Sequence, residues 1–180
     1  LGDGIESIEK GGVVYKVSAA DSTLFIHDIY RIIRLEGTYR WEDQGGNWKE
    51  YDESGRLMSY GSRTGVMGRL LYEEGENSKL IGVADRNGSL ILWYEYDGES
   101  RLQAVHDRDN RRVAYSYTSG RLTAVTDVLG NDTSYQYDDK GRLSITVDAG
   151  GRPTIITYDN YGNVKSVLDQ DGNGHSFEYD

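Results

Sequence analysis

Cysteine is absent from the 180 residues, so neither a disulfide framework nor a thiolate nucleophile is available, and cysteine usage says nothing about redox compartment. Proline occurs once, at Pro153. Apolar runs are short: none approaches the roughly 20 residues that carry a helix across a bilayer, and the opening LGDGIESIEKGG lacks the basic-then-apolar order of a secretory leader. No membrane insertion by this stretch is expected. Basic residues are few, 20 Lys and Arg against 30 Asp and Glu, for a formal charge of −10. That balance repels phosphate backbones and argues against a nucleic-acid partner. What is abundant is Tyr, with 15, and Gly, with 23, a composition suited to many short strands joined by glycine turns. The chain opens on Leu1 rather than Met, and Tyr179 and Asp180 fall inside a recurring signal, so we expect a piece of a longer protein.

The signal is an internal repeat. The tyrosines closing successive Tyr-x-Tyr or related pairs, Tyr96, Tyr117, Tyr137, Tyr158 and Tyr179, recur at 21, 20, 21 and 21 residues. The short interval belongs to YTSGRL, which has one residue fewer before its leucine than YDDKGRL. Each unit reads approximately YxYDxxGRLxxVxDxxGxxxx. Its Asp-x-x-Gly signals include Asp52–Gly55, Asp85–Gly88, Asp127–Gly130, Asp138–Gly141, Asp148–Gly151, Asp159–Gly162 and Asp169–Gly172, with Asp107–Asn110 as a variant. Asp first and Gly fourth suit a type I turn, the carboxylate accepting from backbone amides. Two turns per unit separate two strands. One carries Gly-Arg-Leu, as in Gly141-Arg142-Leu143, and the other carries the tyrosines on one face.

An earlier unit from Tyr51 to Tyr72 keeps the register with Ser62 in place of a turn aspartate, and the longer interval to Tyr96 places insertions in the Glu73–Ser78 turn. Upstream the repeat fades. TYRWEDQGGNWKEYD reads as a hairpin about Gly45-Gly46, with Trp41 and Trp48 near enough to pair across strands. In LFIHDIYRIIRL, Phe25, Ile29, Ile32 and Ile33 fit a helical stripe while the β-branched content favours strands, the reading preferred here. Val13–Val17 reads as a further strand. The expected fold is all-β: a curved, ribbon-like antiparallel sheet of repeated hairpins, with residues 1–50 a degenerate part of it and 51–180 about six repeats. About 14 strands at about 4.8 Å would span roughly 70 Å, with open edges prone to self-association.

YSYTSGRLTAVTDVLGNDTSYQYDDKGRL and ITYDNYGNVKSVLDQDGNGHSFEYD resemble the Tyr-Asp (YD) repeats of rearrangement-hotspot (Rhs) proteins, related to repeats in the B and C components of Tc toxins and in teneurins. The resemblance is specific from about Tyr51 onward. It implies a β-ribbon wound into a hollow shell that, in bacterial toxin members, encloses a C-terminal toxic polypeptide. The implied partners are the remainder of the shell and that toxin, and the implied location is secreted, injected or on the cell surface as part of a larger bacterial protein. The family's proline- and tryptophan-bearing closing motif is not found in this sequence.

Candidate chemistry is sparse. Asp169, Asp171, Asn173 and Asp180 have the oxygen-ligand spacing of a calcium loop. The same slot elsewhere reads DVLGND or DAGGRP, so a hairpin turn accounts for them. The recurrent carboxylates sit at turns instead of forming an acid/base pair. His27, His106 and His175 share no metal-ligand spacing, and no nucleophile elbow occurs. No catalytic residue and no cofactor are expected. Tyrosine rows could stack on sugars, making a carbohydrate- or surface-binding module the alternative. Ile and Phe replace the first tyrosine in ITY and FEY, as ladder packing permits. Arg56, Arg101, Arg121 and Arg142 recur before leucine and are expected to pair with turn aspartates, contributing at most about 1 kcal/mol each at the surface. By simple alternation Leu143, Ile145 and Val147 share a side, whereas Val125 is out of phase with Leu122.

Overall fold

The computed structural model describes residues 5–75 and 78–179. All regular structure among them is β, in eighteen strands, and every registered pairing is antiparallel between strands consecutive in sequence. The chain divides into two compact units, one through Trp93 and one from Tyr94.

The first unit contains β1 (Ser7–Lys10), β2 (Val13–Val17), β3 (Leu24–His27), β4 (Tyr30–Leu35), β5 (Thr38–Glu42), β6 (Trp48–Asp52), β7 (Leu57–Ser62), β8 (Gly65–Tyr72) and β9 (Leu80–Asp85). β10 (Leu90–Tyr96) pairs with β9 and contains the division. Its core gathers Tyr15, Phe25 and Ile32 with Ile8, Val13, Val17, Tyr39 and Trp41. Cross-strand pairing places them on one face: Ile8 opposite Tyr15, Val17 opposite Phe25, Phe25 opposite Ile32, Ile32 opposite Trp41. The Trp41 indole N–H donates to the Tyr15 hydroxyl at 3.0 Å, which meets the hydrogen-bonding need of both half-apolar rings.

Leu24–Leu35 forms β3 and β4, and the helical stripe dissolves. Phe25 and Ile32 face each other across the hairpin and are buried, while Ile29 sits at its tip, 53% exposed. Asp28 takes φ 49°, a conformation short polar side chains tolerate. Trp41 and Trp48 do not pair. The hairpin sets Trp41 opposite Lys49 and Glu42 opposite Trp48, so the two indoles lie on opposite faces because strand side chains alternate. Trp48 instead donates its N–H to the Ser62 carbonyl at 3.0 Å and carries the Arg40 guanidinium over its ring at 4.6 Å.

The second unit continues as β11 (Leu102–Asp107), β12 (Arg112–Thr118), β13 (Arg121–Thr126), β14 (Asp132–Tyr137), β15 (Leu143–Val147), β16 (Pro153–Tyr158), β17 (Val164–Asp169) and β18 (Gly174–Ser176). Tyr117, Tyr137 and Tyr158 each mark a β-bulge. Tyr117 opposes Leu122 while Ser116 opposes Ala124, leaving Thr123 extra, and Tyr137 opposes Leu143 while Gln136 opposes Ile145, leaving Ser144 extra. One extra residue reverses the phase beyond it. Leu143 therefore shares the tyrosine face while Ile145 and Val147 lie on the other, and Val125, opposite Tyr115, joins Leu122 on the tyrosine face. Simple alternation fails at both places.

Candidate functional site

The chemistry-bearing side chains converge on a seam that joins one repeat to the next, and its smallest part is a turn. At Asp127 the backbone carbonyl accepts from the Gly130 N–H at 3.1 Å and the Asp127 N–H donates to the Asn131 carbonyl at 2.9 Å. The Asp127 carboxylate accepts from the N–H groups of Leu129 and Asn131 at 2.8 and 2.9 Å. The same bonds recur at Asp52, Asp97, Asp107, Asp138, Asp148, Asp159 and Asp169. The fourth place needs positive φ, 84° at Gly130 and 96° at Gly162, which glycine adopts without steric cost. Ser100 at 64° and Asn110 at 61° fill it in two turns.

The fifth place completes the turn: Arg56, Arg101 and Arg142 pair with turn aspartates as expected, while Arg111, Arg152, Asn131 and Asn163 in the same place were not anticipated. Arg56, Arg101, Arg111, Arg142 and Arg152 donate Nε–H to the second carboxylate oxygen at 2.6 to 2.8 Å. Asn131 and Asn163 do so with their amides at 2.9 and 3.0 Å. The ring closed by the Arg142 side chain and backbone holds the Asp138 carboxyl below its ordinary range. At Asp127 the Asn131 amide does the same, and at Asp97 the Arg101 backbone N–H leads. Arg121 departs from expectation: its turn, Thr118–Ser119–Gly120, contains no aspartate to receive it.

From these turns the arginines reach the following repeat. The guanidinium of Arg56 lies 5.4 Å from the Tyr72 ring centre, Arg101 4.7 Å from Tyr117, Arg121 5.6 Å from Tyr137, and Arg142 4.2 Å from Tyr158. Each is a cation–π contact of the usual range. The tyrosine hydroxyl then donates back to the carbonyl of the residue following the arginine: Tyr72 to Leu57, Tyr117 to Leu102, Tyr137 to Leu122 and Tyr158 to Leu143, at 2.8 to 2.9 Å. Tyr179 donates to the Val164 carbonyl at 3.0 Å. Tyr96 ends β10 in the same slot. Tyr72, Tyr117, Tyr137 and Tyr158 also oppose the leucine or valine of the next strand, so one ring touches two repeats. Burial raises the Tyr72 hydroxyl above its ordinary pKa, with Arg56 opposing that shift. The constant 15-residue step from leucine to tyrosine was the available signal.

The described calcium-loop residues form a hairpin turn. The Asp169 carboxylate accepts from Asp171 N–H and Asn173 N–H at 2.9 and 2.8 Å and from the Asn173 amide, and Asp180 lies outside the described residues. Among the described residues no group of three His, Cys, Asp or Glu is placed to hold a metal. His27 lies 3.4 Å from Asp28, buried His106 lies 3.0 Å from Glu95, and His175 opposes Val167 on β18.

Residues 115–153 match the RHS Repeat family. Over 107 residues the chain is 30% identical to Double-stranded DNA deaminase toxin A of Burkholderia cenocepacia (strain H111), a stretch covering 57% of this chain and 8% of that protein. Among solved structures, the Tc holotoxin pore of Photorhabdus luminescens aligns with a TM-score of 0.47 at 13% identity, over 88% of this chain and 11% of its own. A TcdB2–TccC3–TEV structure aligns with a TM-score of 0.44 at 13% identity, over 90% and 9%. The hairpins and their seam define a YD-repeat protein. Residues 115–153 carry the RHS Repeat, and the chain is similar over 107 residues to a toxin protein of which it spans only a small part.

Proposed function

We propose that the chain is a non-catalytic wall of an Rhs shell that encloses a toxic polypeptide, part of a larger bacterial protein that is secreted or injected. The carrying observation is the seam. Asp, Arg and Tyr, the residues that could do chemistry, are bonded to turns, rings and backbone carbonyls in the repeats that end at Tyr72, Tyr117, Tyr137 and Tyr158. The same reading takes residues 1–50 as a degenerate segment of the sheet and 51–180 as the repeat domain, with the Asp43 turn an outlying copy of the repeat's turn. Groups so engaged stiffen a barrier and leave little for a substrate; the backbone ladder satisfies its own polar groups without one. The toxin named as a relative supports the setting. The partners are then the rest of the shell and its client, and sheet edges are where copies would associate.

Sugar stacking by the repeat tyrosines is disfavoured, because their hydroxyls are bound within the sheet and arginines occupy ring faces. The test is protease protection of the client in the whole polypeptide, as made in the cell. Deleting the unit from Tyr115 to Tyr137 is expected to expose or destabilise the client; a client still fully protected overturns the wall reading. A glycan array should give no binding that is lost in Tyr→Ala and kept in Tyr→Phe variants.

A further inference from the structure

On the face of the first unit turned away from its aromatic core, one row of side chains crosses four strands: Arg31 opposite Glu42, Glu42 opposite Trp48, and Trp48 opposite Gly61. Gly61 has no side chain, so the Trp48 ring settles against β7, where a Cβ would come within 2.5 Å of the indole. The surface dips there, with Trp48 as a floor only 8% exposed. Three hairpin tips, at Ile29, at Asp43 to Gly46 and at Ser62-Arg63, enclose an open concavity of about 580 Å³ above it, a size usual for small-molecule sites. One wall is the outlying Asp43 turn, and no tyrosine lines the concavity.

The hydrogen-bond acceptors of this wall are largely filled, and the donors are not. Both Asp43 oxygens accept from Asn47, through its backbone N–H and its side-chain amide, each at 2.9 Å. One Glu42 oxygen accepts both bonds from Arg31, which leaves Oε1 open. Arg40 lies over the Trp48 ring and gives Nε and Nη2 to Glu50 at 3.2 and 2.7 Å, which leaves Nη1. Arg63 folds back over Gly46, where any Cβ would collide with it, and donates once, to the Gln44 carbonyl at 3.0 Å. Among the described residues Arg63 meets no carboxylate. A guanidinium has five N–H groups, so most of those on Arg63 stay open on a side chain already fixed in place.

We propose that this concavity binds a sugar acid, its carboxylate held by Arg63 and its hydroxyls accepting from Arg31 and Arg40 and donating to Glu42 Oε1. Open donors on positioned guanidinium groups are complementary to a carboxylate, which they meet in a planar fork at little cost in side-chain freedom. The one open carboxylate oxygen requires a hydroxyl on the same ligand. A phosphate dianion fits less well, because its second charge would stand against Glu42 and Asp43. The sugar ring is held by its polar edge, since Arg40 and Gly61 already cover the faces of the indole.

The test is nuclear magnetic resonance titration of the full chain with D-glucuronate at constant ionic strength, read at the Trp48 indole N–H. Saturable shifts with half-saturation at about 1 to 10 mM are expected, the weak affinity of a small open site. Arg63→Met, which keeps the stem over Gly46, should raise the half-saturation about fivefold or more, the loss of a charge-assisted hydrogen bond. Lys140→Met removes one exposed positive charge in the other unit and should leave binding unchanged. Unshifted amide signals away from the site establish that both variants fold. D-Glucose and acetate should each bind about fivefold more weakly or worse. Absence of saturation overturns the proposal, as does an Arg63→Met chain that binds like the parent. Acetate or phosphate binding as tightly as glucuronate overturns the sugar assignment and leaves a simple oxyanion site, and glucose binding as tightly overturns the role of the carboxylate. The inference goes beyond the wall reading, whose protease-protection test can fail or succeed independently of this one.

Discussion

A single tyrosine hydroxyl carries the contact between repeats. Tyr137→Phe removes the donation to the Leu122 carbonyl and should lower stability by about 1 kcal/mol, the net value of such a bond; Tyr137→Ala also removes the packed ring and should cost more. Urea unfolding followed by tyrosine and tryptophan fluorescence measures both. The arginines form an ordered pair of tests. Arg142 both closes the Asp138 turn and covers Tyr158, whereas Arg121 only covers Tyr137, so Arg142→Gln should lower the melting temperature more than Arg121→Gln; the reverse order would refute the turn clamp. The turn carboxylates also set a pH limit. Hydrogen bonds from Arg142 and Asn131 hold Asp138 and Asp127 below the ordinary value, so the unfolded chain takes up protons first as the solution is acidified. The stability they supply is complete above the unfolded value of about 3.9 and is lost as pH falls through the lower folded values. Thermal melts should therefore hold steady near neutrality and drop steeply below about pH 4; a melting temperature unchanged through that window would show the turns contribute nothing.

At the scale of one turn or strand, glycines separate into two kinds. Gly130 has φ 84° with open space around it, whereas Gly98 lies outside the positive-φ set and is equally uncrowded. Gly130→Ala should destabilise by about 1–2 kcal/mol through backbone strain, while Gly98→Ala should be neutral or stabilise by up to about 1 kcal/mol by restricting the unfolded chain. Chemical denaturation of the two variants side by side checks this. The turns were largely legible in advance, because Asp first and Gly fourth encode a local bond set that needs no other part of the chain. Asp97–Ser100 escaped the Asp-x-x-Gly pattern since serine replaces the glycine; Arg101 in the fifth place was its remaining signal. The bulges were not legible. Nothing in Leu143-Ser144-Ile145 distinguishes a bulge from plain alternation, and only the pairing of Tyr137 with Leu143 reveals it.

The whole molecule behaves as an array in which each repeat bonds to its neighbours. Deleting Asp138 through Tyr158, one period of 21 residues, joins Tyr137 to Asp159 and restores a Tyr-Asp junction. Strand direction and the tyrosine face are preserved, so a cooperatively melting all-β chain is expected, and circular dichroism tests it. Deleting only β15 and the turn after it, Leu143 through Arg152, removes one strand and reverses the direction of all that follows. That variant should lose cooperative melting; equal cooperativity in both would refute repeat-to-repeat bonding.

The amino-acid order by itself determined the β class, the period near 21 residues and the turn positions, because each rests on contacts within a few residues or on recurrence along the chain. It also identified the repeat tyrosines, but not their bonds, which reach a carbonyl 15 residues back on another strand. Only the tertiary structure decided which face each side chain takes. Trp41 and Trp48 part company through hairpin register, Ile145 leaves Leu143 through a bulge, and Lys10 of β1 meets Trp41 of β5 with three strands between them in sequence. Register and bulges are set by the sum of pairings across strands, and one residue of shift inverts a face, so the placement of a side chain depends on partners distant in sequence.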